Sequence, residues 1–96
     1  MENTTVETIK AAVSKVLAEQ GQDLSEKDRA TISAISKAAD QAESDWKSGK
    51  IQQIGKPGVP RVGGVRTSDV EFQLSQDTGL SITDAYNLIA DVLYNA

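Results

Sequence analysis

The sequence of 96 residues contains no cysteine and no histidine. Without cysteine it can form neither disulfides nor thiolate sites, which is typical of a reducing compartment, so we predict a cytoplasmic protein. Ser-His-Asp and Cys-His catalytic sites and the usual zinc ligand sets are excluded as well. Carboxylate pairs remain, but the Asp and Glu residues fall on predicted polar helix faces or at helix starts. We therefore predict no enzymatic activity, no metal and no cofactor.

Long apolar runs are also missing, so no membrane-spanning segment is predicted. The first residues have neither the basic nor the apolar region of a signal peptide. The length is that of a single domain, and Leu, Ile, Val and Phe together make up less than a quarter of it. A core built from so few large apolar side chains is thin. Either part of the chain is mobile or a homo-oligomer completes the core.

Helical spacing of apolar residues predicts two helices in the first half of the chain. The first covers residues 4–20, and the second begins after Ser25 and ends at Gly49. The apolar stripe of the second helix has coiled-coil-like intervals of three and four residues, which suit a partner helix. Its members are Ile32, Ile35, Ala39, Ala42 and Trp46. We accordingly predict Ile35 and Trp46 as partner-binding residues.

The C-terminal part is predicted to be helical over residues 67–96. Residues 69–76 fit a short helix or a strand, because their apolar residues alternate, but Gly79 and Ser81 favour a helix that ends there before another begins. Ser81 is the predicted N-cap of the last helix. The string L-S-x-x-D occurs at Leu24–Asp28 and again at Leu80–Asp84, as either a duplicated helical hairpin or two independent helix starts would produce.

Charge is segregated along the chain. Residues 47–68 carry five basic side chains and no acid, whereas residues 69–96 carry five acids and no base. The segment 49–66 holds both prolines and several glycines, which exclude a helix and favour an extended arm or a short irregular β-hairpin. Its cationic candidates for partner binding are Lys50, Lys56, Arg61 and Arg66. Such a segment can bind nucleic-acid phosphates, dock on an acidic protein surface, or serve only as a solvated loop.

The segment from Leu74 to Leu88 resembles a helix-turn-helix, with Gly79 in the turn and Ala85 facing inward. It is also similar to the opening helices of the HU/IHF nucleoid proteins, in which a T-G-L-S-x-x-D-A string joins two helices that serve mainly in dimerisation. The resemblance covers about 20 of the 96 residues. It departs from both groups because the last helix has no Lys or Arg, and because the basic segment comes before the string rather than after it.

Together these patterns predict a mainly α fold. About four helices form two αα-hairpins, covering residues 4–48 and 67–96, and a Gly/Pro-rich basic arm joins them. The expected function is that of a non-enzymatic protein–protein interaction module that binds a protein partner or itself. A small accessory or inhibitor protein of a phage or mobile element would have this profile. The alternative is an HU-like or helix-turn-helix-type nucleic-acid-binding protein acting through the basic arm.

Overall fold

The computed structural model describes residues 4–96, and most of them are helical. A single 3-10 turn, Gly21–Asp23, links the first two helices, and a two-stranded antiparallel hairpin separates them from the last two. The elements are α1 (Thr4–Gln20), α2 (Glu26–Lys47), β1 (Gln52–Gln53), β2 (Lys56–Pro60), α3 (Thr67–Thr78) and α4 (Ile82–Asn95). The predicted mainly α fold, with two helical pairs and a short β-hairpin between them, is confirmed.

The helix ends follow from local chemistry. The Ser25 hydroxyl accepts the backbone N–H of Asp28 at 3.1 Å, and the Ser81 hydroxyl accepts that of Asp84 at 3.0 Å. Both serines therefore satisfy N–H groups that the first turn of a helix leaves without a partner. Gly79 ends α3 with a φ of +79°, a left-handed conformation that glycine adopts at little cost. The region that fitted either a helix or a strand is thus part of α3.

All four helices contribute to one hydrophobic cluster. α2 lies at its centre and packs most extensively against α3 and α1. The apolar stripe of α2 faces this cluster, and Ile35 is 0% exposed. This burial corrects the prediction that Ile35 contacts a partner, because the same helical spacing serves an internal core as well as an interface. Trp46, at the end of the stripe, is half-buried and packs against the cluster.

Replacing Ile35 by Ala should lower the free energy of unfolding by about 2–5 kcal/mol, because it leaves a cavity among fully buried side chains. The exposed Ser33 on the same helix gives the matched control, and Ser33→Ala should change stability by less than about 0.5 kcal/mol. Denaturant unfolding of both variants measures the difference. A loss below about 1 kcal/mol for Ile35→Ala would contradict the placement of this side chain in the core.

One carboxyl group lies at the edge of the core. Glu71 on α3 is 9% exposed, between the buried Val70 and the exposed Phe72. Desolvation by burial disfavours the charged carboxylate and raises the pKa of Glu71 above its ordinary value. Its ionisation in the folded protein therefore opposes folding.

Glu71→Gln should stabilise the protein increasingly as pH rises from about 4 to about 7. Below the ordinary pKa of 4.5, Glu71 is protonated in both states and adds no penalty. Above it the unfolded chain releases the proton first, because the pKa of the folded state is higher, so the wild-type protein loses stability that the amide variant keeps. Unfolding measured at both pH values for both proteins gives the difference. A difference that is the same at the two values would contradict this assignment.

Candidate functional site: a basic hairpin fixed at its base

The basic segment forms an irregular hairpin with an exposed tip. Gln52 pairs with Pro60 and Gln53 pairs with Lys56, so that the register shifts between the two pairs. Ile54 lies in the turn and is 99% exposed, although isoleucine is one of the residue types most often buried in proteins. The tip therefore presents a large apolar side chain to the surroundings.

The start of the hairpin is held by the end of α2. The backbone carbonyl of Asp45 accepts the N–H groups of Lys50 at 2.8 Å and of Ile51 at 3.2 Å. Gly49 has a φ of +81°, and a Cβ at this position would overlap the carbonyl group of Gly58. A glycine at position 49 thus lets the returning strand cross directly over the end of the helix.

The end of the hairpin is held by Trp46. The indole Nε1–H donates to the carbonyl oxygen of Arg61 at 2.7 Å, across fifteen residues of sequence. The N–H of Arg61 donates in turn to the carbonyl of Ile51 at 2.9 Å, which closes the base of the hairpin. The N–H is the one polar group of the indole ring, and through it Trp46 holds the end of the hairpin to α2.

The Arg61 side chain joins the hairpin to α3. Its Nη2 donates to the Asp69 carboxylate in a close ion pair and to the carbonyl of Gly64 at 3.1 Å. The same carboxylate accepts the backbone N–H of Arg66 at 2.8 Å at the start of α3. The two side chains are about four-fifths buried, so water competes weakly for these bonds. Val65, next to this network, is 2% exposed.

The predicted cationic residues therefore divide into two groups. Lys50, Lys56 and Arg66 are exposed, and the ammonium group of Lys50 lies 3.8 Å from the Asp45 carboxylate. Arg61 is instead bonded to Asp69 and Gly64 and supports the hairpin, and its assignment as a partner-binding residue stays a prediction. The segment is not an extended arm, because contacts to α2 and α3 fix it at both ends. Sequence reasoning missed the role of Arg61, although Asp69 is the first acid after the basic segment.

One side of the hairpin borders an open cavity of about 450 Å³. It is lined by Gln52, Gln53, Ile54, Arg61, Val62 and Arg66. The lining combines guanidinium and amide donors with exposed apolar side chains and includes no carboxylate. This composition suits carboxylate or phosphate groups presented next to an apolar surface.

The part of the chain that the structure describes has no cluster of three acidic side chains placed to hold a metal ion. Over the same residues, none of the helices has the combination of length and apolar character needed to cross a membrane. The α3–turn–α4 unit is present, with Leu74 and Ala85 buried, and α4 carries no Lys or Arg. Comparison of the chain with protein-family models, with curated proteins and with solved structures gives no match.

Arg61→Ala should destabilise the protein by about 1–3 kcal/mol, because it leaves the largely buried Asp69 carboxylate without its guanidinium partner. Arg66→Ala is the matched control, since its side chain is exposed, and it should change stability by less than about 0.5 kcal/mol. Thermal or denaturant unfolding distinguishes the two variants. Equal losses would contradict the division of the cations into supporting and exposed groups.

Proposed function

We propose that the chain is a non-enzymatic protein–protein interaction module that recognises an acidic protein surface through the tip of its basic hairpin. The observation that carries the proposal is Ile54, which is 99% exposed at the tip of a hairpin whose base is fixed. An apolar side chain held outward next to Lys56 combines an anchor for a partner pocket with a charge that selects an acidic surface.

The fixed base supports this proposal energetically. Binding by a mobile arm requires the arm to become ordered, which reduces affinity. Here the contacts of Trp46, Gly49 and Arg61 order the hairpin before any partner binds. The indole N–H of Trp46 is bonded within the chain. Trp46 therefore contributes to recognition indirectly, by positioning the tip.

Site-specific photo-crosslinking tests the class of partner. A benzoylphenylalanine placed at position 54 should, on irradiation in cells that express the protein, give adducts with protein, either a second copy or another chain. The same group at position 33, which is exposed on α2, is the control and should give far fewer adducts. The proposal would be contradicted by adducts that nuclease treatment converts back to the mass of the free protein, or by equal yields at the two positions.

Nucleic-acid binding is the second candidate, and the exposed Arg66 at a cavity whose lining includes no carboxylate favours it. With Arg61 engaged by Asp69, the exposed cations of the segment 49–66 are Lys50, Lys56 and Arg66. Contact of these three with phosphates gives a log–log salt slope of about −2.7 for duplex DNA between about 50 mM and about 200 mM salt. We expect no binding even at the lower salt concentration, because the chain has a net charge of −4. Binding with that slope, lost in Lys56→Glu, would favour this second candidate.

A further inference from the structure

The two L-S-x-x-D strings lie on the two sides of one surface groove. The groove has a volume of about 440 Å³ and is formed by the start of α2 and the start of α4. Its apolar lining consists of Leu24, Ile32, Leu80 and Leu88. These four residues form two equivalent pairs. In each half of the groove, one residue is the Leu that begins the string, and the other is the apolar helix residue eight positions after it. The two halves of the groove are therefore chemically alike.

The charge along the groove is mainly negative. Asp28 and Asp84 line it from the two sides, each three residues after its capping serine, and Lys27 is the one cation among the lining residues. α4 also carries Asp91 and no base, so the α4 side of this surface is acidic. A ligand for the groove must therefore be apolar at its centre and positively charged beside it.

The hairpin tip has this combination, with Ile54 fully exposed and Lys56 two residues away. It cannot reach the groove of its own chain. The hairpin is fixed at the C-terminal end of α2, whereas the groove lies in its N-terminal half, and about 20 Å of helix separates Ile32 in the groove from Asp45. Only the tip of another molecule can occupy the groove.

We infer that the groove binds the hairpin tip of a second copy of this chain, with Ile54 between the four apolar side chains and Lys56 beside Asp28 and Asp84. The inference rests on the proposed function and identifies its partner. Tip and groove are different surfaces, so each copy can accept one neighbour and dock on another. Charge attraction of this kind weakens as salt rises.

Two complementary variants isolate a single tip–groove contact. Ile54→Asp removes the apolar anchor at a turn position, where it should not disturb the fold. Thr31→Arg fills the groove with a longer cationic side chain on α2, where arginine is a good helix former. Each variant keeps one half of the contact, so neither should self-associate, but a mixture of the two should form a one-to-one complex.

The measurement is amide chemical-shift perturbation by NMR. Isotope-labelled Ile54→Asp protein should show shifts along residues 24–32 and 80–88 when unlabelled Thr31→Arg protein is added. Unlabelled Ile54→Asp protein is the control and should cause none. Because unlabelled Thr31→Arg protein keeps Ile54, it should bind at least about tenfold more strongly than unlabelled Ile54→Asp protein, as expected for burial of one large apolar side chain. If Thr31→Arg does not fold, Asp84→Lys replaces it as the groove variant.

Absence of shifts up to about 1 mM protein, or shifts confined to other surfaces, would overturn the inference. The proposed function is judged separately by the crosslinks from position 54. Crosslinks to a different protein, together with no shifts in the mixing experiment, would leave the interaction module standing without self-association. If the group at position 54 forms no crosslinks to protein, the proposed function itself is contradicted.

Discussion

The hydrogen bond from the Trp46 indole to the Arg61 carbonyl is the contact on which the position of the hairpin depends. It joins the end of α2 to the end of β2, and the Arg61 side chain extends the connection to Asp69 at the start of α3. One residue thus uses its backbone to hold the hairpin to the first helical pair and its side chain to hold it to the second. Because both contacts are largely shielded from water, the two helical pairs and the hairpin are expected to move as one unit.

The fixed base of the hairpin also determines where the basic segment lies relative to the acidic surfaces. Residues 1–46 have a net charge of −4 and residues 69–96 carry acids only, so an extended basic arm between them would be drawn toward the acidic surfaces of its own chain. The fixed base instead holds Lys56 and Ile54 away from the groove at the opposite end of α2. Complementary surfaces that cannot meet within one molecule remain available for contact between molecules. Because the tip and the groove lie far apart in one molecule, we propose that the exposed apolar tip serves self-association.

The helices could be predicted from the sequence because their signals are local. Ser25, Ser81 and Gly79 mark helix ends through bonds and backbone angles that involve only neighbouring residues. The direction of the α2 stripe could not be predicted, because helical spacing is the same whether Ile35 faces a core or a partner. The support of the hairpin depends on contacts between residues distant in sequence, and no periodicity encodes the bond between Trp46 and the Arg61 carbonyl. The repeated L-S-x-x-D string was visible in the sequence, but its two copies meet at one groove only because α2 and α4 begin on the same side of the molecule.

Amide and indole hydrogen exchange tests the fixed hairpin most directly. If the base is held as described, the indole N–H of Trp46 and the amide N–H of Arg61 should exchange at least about a hundredfold more slowly than the exposed amides of Ile54 and Gly55. Their protection should be close to that of the amides in the middle of α2, because the hairpin and the helices form one unit. Exchange of the Trp46 and Arg61 protons at the rate of an unstructured peptide, with the α2 amides still protected, would contradict a hairpin that is fixed at its base.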